Sequence, residues 1–344
     1  MIRKKAIAVV LSAGLLCCLP ESRAAVDTRR EAELKYKTTS QAAGELYMQR
    51  RPSVENLIPE ITLGLTEGFD SNVNLDPSKK SDSYIEESLD ARYTYPIKDD
   101  SLDVKFGFDI VNSTYYNITD ASLFDGSAYV NLEGKMPNDL TFIGGYAFNT
   151  VWYPNDENGT YISNEVSGGY KHYITSRVYQ KAMYRFSLKN YIDKKRRLGN
   201  AEFSSERRAD LRQVLEHEVA VYIFENVKLK ITNQFLVNDS NDQYFDYYDY
   251  SQYKFGPSMT VSLMDKLYNI SSFSLVHREY AGRRASGKNS RQKDDLYIAS
   301  TSLLYDITKV ISVYATYSYR ENRSTETLDK YSSSIFATGL YYSF

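Results

Sequence analysis

The chain has 344 residues, 42 of them basic and 44 acidic, a formal charge of −2, and two cysteines. This balance leaves no electrostatic footprint for nucleic acid, while 32 Tyr and 15 Phe are a heavy aromatic load for a mean hydropathy of −0.49. Beyond the first 24 residues no apolar run reaches about 18 residues, which excludes a transmembrane helix.

Arg3, Lys4 and Lys5 precede the apolar run Ala6 to Leu16, and Ser22-Arg23-Ala24 offers small residues at both positions that a signal peptidase reads. Residues 1–24 are therefore expected to be a cleaved secretory signal peptide. Cys17 and Cys18 follow the run, but Leu16 and Cys17 before them are not the small residue that lipoprotein processing prefers. Both cysteines leave with the signal, so the exported chain owes nothing to disulfides. Loss of Arg3, Lys4, Lys5, Arg23 and Glu21 leaves 38 basic and 43 acidic residues. Residues 25–57 are polar, with Gln41-Ala42-Ala43-Gly44-Glu45-Leu46 suited to a short helix that Arg50-Arg51-Pro52 would end. They read as a periplasmic N-terminal segment leading into the strands.

From residue 58 the pattern becomes a series of hairpins. Ile61, Leu63 and Leu65 alternate with Thr62, Gly64 and Thr66. Ile85, Leu89, Ala91, Tyr93 and Tyr95 alternate with Glu86, Ser88, Asp90, Arg92 and Thr94. The clearest dyad sets Leu102, Val104, Phe106, Phe108 and Ile110 against Asp103, Lys105, Gly107 and Asp109. Further strands are expected near 123–135, 139–153, 160–173, 177–191, 207–224, 226–238, 250–264, 266–281, 295–306, 309–321 and 330–344, about 14 in all.

The connections alternate in length. Short turns fall at 98–100, 136–138, 175–176, 225–226, 265–266 and 308–309, and longer polar loops at 74–83, 117–122, 154–159, 193–206, 239–249, 285–294 and 322–329. Strands of about 12 to 16 residues exceed the five or six of a soluble sheet and suit a tilted bilayer crossing. The expected fold is all-β: a transmembrane up-and-down antiparallel barrel over residues 58–344, both termini on the side of the short turns.

The chain ends on an aromatic strand, Gly339-Leu340-Tyr341-Tyr342-Ser343-Phe344, in which Phe336, Leu340, Tyr342 and Phe344 share one face and Gly339 lies on the other. Gly339, Leu340, Tyr342 and Phe344 resemble the C-terminal signal by which the barrel-assembly machinery of Gram-negative bacteria recognises outer-membrane barrels. The resemblance implies residence in the outer membrane, with its lipid and lipopolysaccharide as partners.

Catalytic chemistry finds little support. His172, His217 and His277 are the three histidines, and none is followed two residues later by Ser. Each reads as an isolated strand residue. No thiolate, phosphate-cradling glycine loop or metal-ligand spacing is present, so neither catalytic residues, metal nor cofactor are expected.

With the apolar faces turned to lipid, Lys181, Arg185, Lys189, Arg212, Lys228, Lys230 and Lys254 line the lumen, interleaved with Glu216 and Glu218. Such a wall attracts anions, although a water-filled lumen needs polar residues in any case. Two outer loops have opposite chemistry. One carries Lys194, Lys195, Arg196, Arg197, Arg207 and Arg208; the other sets Asp239, Asp242, Asp246 and Asp249 among Tyr244, Phe245, Tyr247, Tyr248 and Tyr250. The basic loop suits lipopolysaccharide phosphate and the acidic one sugar rings or calcium; both also suit plain solvated loops.

Leu65-Thr66-Glu67-Gly68-Phe69-Asp70-Ser71-Asn72-Val73, followed by Lys80-Ser81-Asp82, resembles the opening of β-barrel porins associated with exopolysaccharide secretion systems. The resemblance implies passage or export of a saccharide, with polysaccharide-secretion components as partners, and carries over no catalytic residue. A plugged structural or adhesive barrel, with residues 25–57 as the plug, is the alternative; a membrane-embedded lipid-modifying enzyme is a more distant one.

Overall fold

A computed structural model describes residues 59–98, 101–156, 159–199, 202–244 and 246–344. The expected signal peptide and the segment 25–57 lie outside the described residues. The strands are β1 (Glu60–Asp70), β2 (Asp82–Lys98), β3 (Leu102–Tyr115), β4 (Leu123–Met136), β5 (Leu140–Trp152), β6 (Tyr161–Thr175), β7 (Val178–Arg197), β8 (Phe203–Phe224), β9 (Val227–Ser240), β10 (Tyr250–Met264), β11 (Leu267–Arg284), β12 (Arg291–Asp306), β13 (Ile311–Ser324) and β14 (Tyr331–Ser343). Each pairs antiparallel with its sequence neighbours, and β14 returns to β1 to close the barrel. The expected 14 strands and their closure are therefore present. Closure matters physically because an unpaired sheet edge in hydrocarbon leaves every second backbone group without a partner.

The dyad pattern sorts the side chains as a barrel needs. Leu63, Phe106, Phe142, Phe235, Phe273 and Leu340 stand exposed on the outer face, where only lipid can cover them. Trp152, Tyr95, Tyr305 and Tyr342 are also exposed on that face, near strand ends, as an interfacial girdle requires. The inner face is polar: Lys105 pairs with Glu133 at 2.7 Å, and Ser127 donates to Asp109 at 2.5 Å.

The seam between β14 and β1 is set in register from Thr62 opposite Ser343 to Asp70 opposite Ile335. Ile61 and Phe344 exchange backbone hydrogen bonds at 3.2 and 3.0 Å, so the terminal aromatic is fixed by its own main chain. Phe336, Leu340, Tyr342 and Phe344 are exposed on the outer face, and Gly339 lies on the inner one. Gly339 faces Tyr314 of β13, whose ring lies where a Cβ would be, 2.7 Å away, with Leu65 O at 2.6 Å. Gly68 receives the ring of Tyr84 in the same way. Glycine at these two positions lets a tyrosine lie flat on the wall. Tyr314 in turn stacks on Tyr341, with centroids 4.9 Å apart, and hydrogen-bonds Thr66.

The expected loop 285–294 is shorter, since β12 starts at Arg291, and a larger correction falls in the basic segment. Residues 193–206 are not a long basic loop: β7 runs on to Arg197 and β8 starts at Phe203, so 20- and 22-residue strands form a hairpin longer than its neighbours.

Candidate functional site

The inner faces of β7 to β10 bring the expected lumen residues together. Lys181, Arg185 and Lys189 lie on one face of β7, Arg212, Glu216 and Glu218 on β8, Lys228 and Lys230 on β9, and Lys254 on β10, all sharing the side of the buried inward residues. Their surroundings divide by height. Toward the short turns they are partly exposed and paired: Arg185 holds Glu216 at 2.7 Å and approaches Glu165 at 3.9 Å, and Lys230 holds Glu218 at 3.4 Å. Gln234 also donates to Glu216, at 3.0 Å. Half-exposed pairs of this kind contribute little to stability, and the excess of cations leaves this wall basic.

Toward the long loops the same wall is buried. Lys189 is 1% exposed, its ammonium 3.5 Å from the Tyr161 ring centroid and 4.6 Å from that of Tyr191. Arg212 donates to Asn238 at 2.7 Å, and the Asn238 amide donates to the Tyr248 carbonyl at 3.1 Å. Lys254 is half-buried.

The two outer segments expected to be chemically opposite are mated. Arg208, fully buried, forms a two-pronged pair with Asp210 at 2.6 and 2.8 Å and lies 3.7 Å from the Tyr248 ring and 4.5 Å from that of Tyr191. Lys194 sits between the same two rings, and Arg197 over Tyr244 and Tyr247 at 4.7 and 4.2 Å. Backbone bonds from Asn241 to Ala209 and from Gln243 to Arg197 complete a clasp between the β7–β8 hairpin and residues 241–249. Three of the six basic residues are thus turned inward and buried; Arg196 pairs with Glu206 at 2.6 Å, while Lys195 and Arg207 stay exposed.

The acids of residues 241–249 organise their own loop. Asp242 accepts from the backbone of Tyr244 and Tyr247, both at 2.8 Å, and burial raises its carboxyl above the ordinary range despite those bonds. Asp249 accepts from Ser240 N at 2.7 Å; burial, then the neighbouring Asp239, Asp246 and Asp242, push it up to about 6. Phe245 lies outside the described residues.

The hairpin motif has a role that its residues alone did not disclose. Asp70 pairs with Arg320 of β13 at 2.6 Å and accepts from Ser333 of β14 at 2.5 Å and from Asn72 N at 2.9 Å. Asn72 donates to the carbonyls of Asp76 and Ser332. The motif therefore ties the first loop across the seam. In the connection from β13 to β14, Asp329 receives Arg283 at 3.3 Å and Gln292 at 2.6 Å, and Glu326 accepts from Ser286 N at 2.6 Å.

His277 is not isolated: its Nδ1 lies 2.7 Å from Asp295 Oδ1, on the outer face and half exposed. His172 and His217 also fall on outward positions. Among the described residues no group of three or more His, Cys, Asp or Glu is placed to hold a metal ion.

No protein-family model matches this sequence, and no curated protein matches it. Among solved structures, the outer-membrane expressed OmpT of Vibrio cholerae is similar, with a TM-score of 0.51 and 11% identity over 85% of this chain and 99% of that one. An anion-selective porin from Comamonas acidovorans gives 0.45 and 10% over 83% and 99%, and a bacterial polysaccharide outer membrane secretin 0.42 and 12% over 85% and 100%. At such identities the likeness is one of fold. The chain has the fold of the Gram-negative outer-membrane β-barrels, and its apolar outer face, which only lipid can cover, places it in that membrane.

Proposed function

We propose that the protein is an outer-membrane channel for export or passage of acidic polysaccharide or oligosaccharide. The observation that carries this reading is the basic inner wall of β7 to β10, where Lys181, Arg185, Lys228 and Lys230 outnumber Glu216 and Glu218 and remain partly exposed. Cations lining a water-filled lumen raise the local concentration of anions and favour their passage. The resemblance of the first hairpin to porins of exopolysaccharide secretion agrees with it, and makes secretion components the expected partners. The closing strand, with Gly339, Leu340, Tyr342 and Phe344, serves as the assembly signal in this reading.

A second reading, a closed structural barrel, is favoured by the buried clasp at the long-loop end. Planar-bilayer recording separates the two. Steady current from the mature protein, with a reversal potential that marks anion preference, supports the channel. Current that appears only after removal of residues 25–57 supports the plugged barrel. Neutralising Lys181, Arg185, Lys228 and Lys230 together should move the reversal potential toward cation preference; an unchanged value removes the basic wall from the account.

A further inference from the structure

Close to the turns joining β6 to β7 and β8 to β9, the inner wall carries a basin of lysines and tyrosines. We propose that this basin, formed by Lys171, Tyr173, Tyr179, Tyr222, Lys228 and Lys230 over Ala220, is a binding site for carboxylate-bearing saccharide chains at the periplasmic mouth. It rests on the channel reading and names the ligand class and the place of capture.

The register builds the basin from three hairpins. Tyr173 stands opposite Tyr179, Tyr179 opposite Ala220, and Ala220 opposite Lys230, while Tyr222 stands opposite Lys228. Ala220 is wholly buried, covered by the larger side chains around it, and those side chains form the surface that a ligand meets. The Lys171 ammonium lies 4.5 and 4.6 Å from the ring centroids of Tyr173 and Tyr179 and donates to the Tyr173 hydroxyl at 2.6 Å. The Lys228 ammonium lies 5.3 Å from the Tyr179 ring and 5.5 Å from that of Tyr222. Cation–π contacts of this length hold an ammonium in place while leaving N–H groups for an anion.

The charge is not cancelled locally. Glu218 takes Lys230 at 3.4 Å and the Tyr179 hydroxyl at 2.9 Å, and Glu216, two residues along β8, is already held by Arg185 and Gln234. Lys171 also stands opposite Lys181 in the register, a like-charged neighbour that strengthens the demand for an anion. Tyr173 and Tyr222 are exposed by more than a third, so ring faces as well as charges are offered to a ligand. A simple anion needs the ammoniums alone. A chain of uronate-type sugars uses both features, stacking its C–H faces on the rings while each carboxylate meets a lysine. Short turns mark the periplasmic end of an outer-membrane barrel, so the basin lies where an exported chain would enter.

The test titrates the mature protein in detergent with oligogalacturonate, a neutral oligoglucan of equal length, and inorganic phosphate. Oligogalacturonate is expected to bind at least about tenfold more tightly than the neutral chain, and Lys171→Gln with Lys228→Gln to weaken it about tenfold. Tyr173→Leu should weaken it severalfold while leaving its salt dependence unchanged. Wild-type affinity in the double lysine variant, its barrel intact by circular dichroism, overturns the site. Equal affinity for phosphate and oligogalacturonate overturns the saccharide assignment, and so does loss of all binding in the wild type. Bilayer current on the same preparations separates this from the channel reading: binding without current keeps the site and removes the channel, and current without binding does the reverse.

Discussion

The inner walls on the two sides of this barrel are built on different principles. From β12 through β14 to β1 most of the inward row is buried, with Leu304, Ser312, Thr316, Ala337, Tyr341 and Thr62 all nearly inaccessible. Many of its side chains are short or flat and satisfy one another, Thr62 with Ser343 at 2.7 Å, Ser302 with Thr316 at 2.7 Å and Ser312 donating to Asp306 at 2.6 Å, and the long Arg320 is held by Asp70. From β7 to β10 the inward row carries long cations, buried toward the long loops and partly exposed toward the short turns, where Tyr179 and Ala220 are buried among them. Short hydroxyls, stacked tyrosines and the paired Arg320 seal the place where first and last strand meet, while partly exposed cations gather on the wall of β7 to β10.

The strongest way to break this contrast is at the seam. Asp70→Ala leaves Arg320 charged, buried and without its carboxylate, and should cost about 3 to 5 kcal/mol. Equilibrium unfolding in phospholipid bilayers measures it, and a loss below about 1 kcal/mol would mean that the seam does not depend on this latch. Gly339→Ala puts a Cβ against the Tyr314 ring and Leu65 O, for an expected loss of about 1 to 3 kcal/mol in the same assay. Tyr314→Ala in that background should recover part of the loss, because the clash with its ring is gone.

On the other wall the expected effects fall on conduction. Arg208→Ala removes the cation shared by Tyr191, Tyr248 and Asp210, loosens the clasp and should raise unitary conductance by about twofold or more, with little change in the unfolding of the seam. The smallest effect concerns pH. The Asp249 carboxyl lies at about 6 in the folded loop against an ordinary 3.8. Between those values the folded loop binds the extra proton, so its stability falls as pH rises through about 6 and is recovered on acidification. Conductance should therefore be lower at pH 5 than at pH 7, and Asp249→Asn should abolish the difference.

Much of this architecture is legible in the sequence, because a barrel strand writes its two environments into alternate residues. Leu102 to Ile110 displays them plainly, and the alternation of short and long connections carries the strand count and closure. The β7–β8 hairpin escapes such a reading because exposed charged residues such as Asp193, Lys195 and Glu206 stand where lipid-facing apolar ones would mark a strand, and charge makes a strand look like a loop. The clasp is hidden for another reason. Cation–π partners such as Arg208 and Tyr248 are set by the approach of two segments, and no local pattern encodes that approach. Asp70 stands out as part of a motif, yet its partners Arg320 and Ser333 lie 250 and 263 residues away.

That distance has a kinetic consequence. The other strand pairings join sequence neighbours through hairpins, so most of the wall can zip locally and quickly, whereas the bond between Thr62 and Ser343 closes a loop of 281 residues. Closure must then come last, and until it does the nascent sheet presents two live edges to any strand that will pair with them. The Asp70–Arg320–Ser333 latch joins the end of β1 to the last two strands, so it can form only in the closing step and would act against reopening rather than speed the zipping that precedes it.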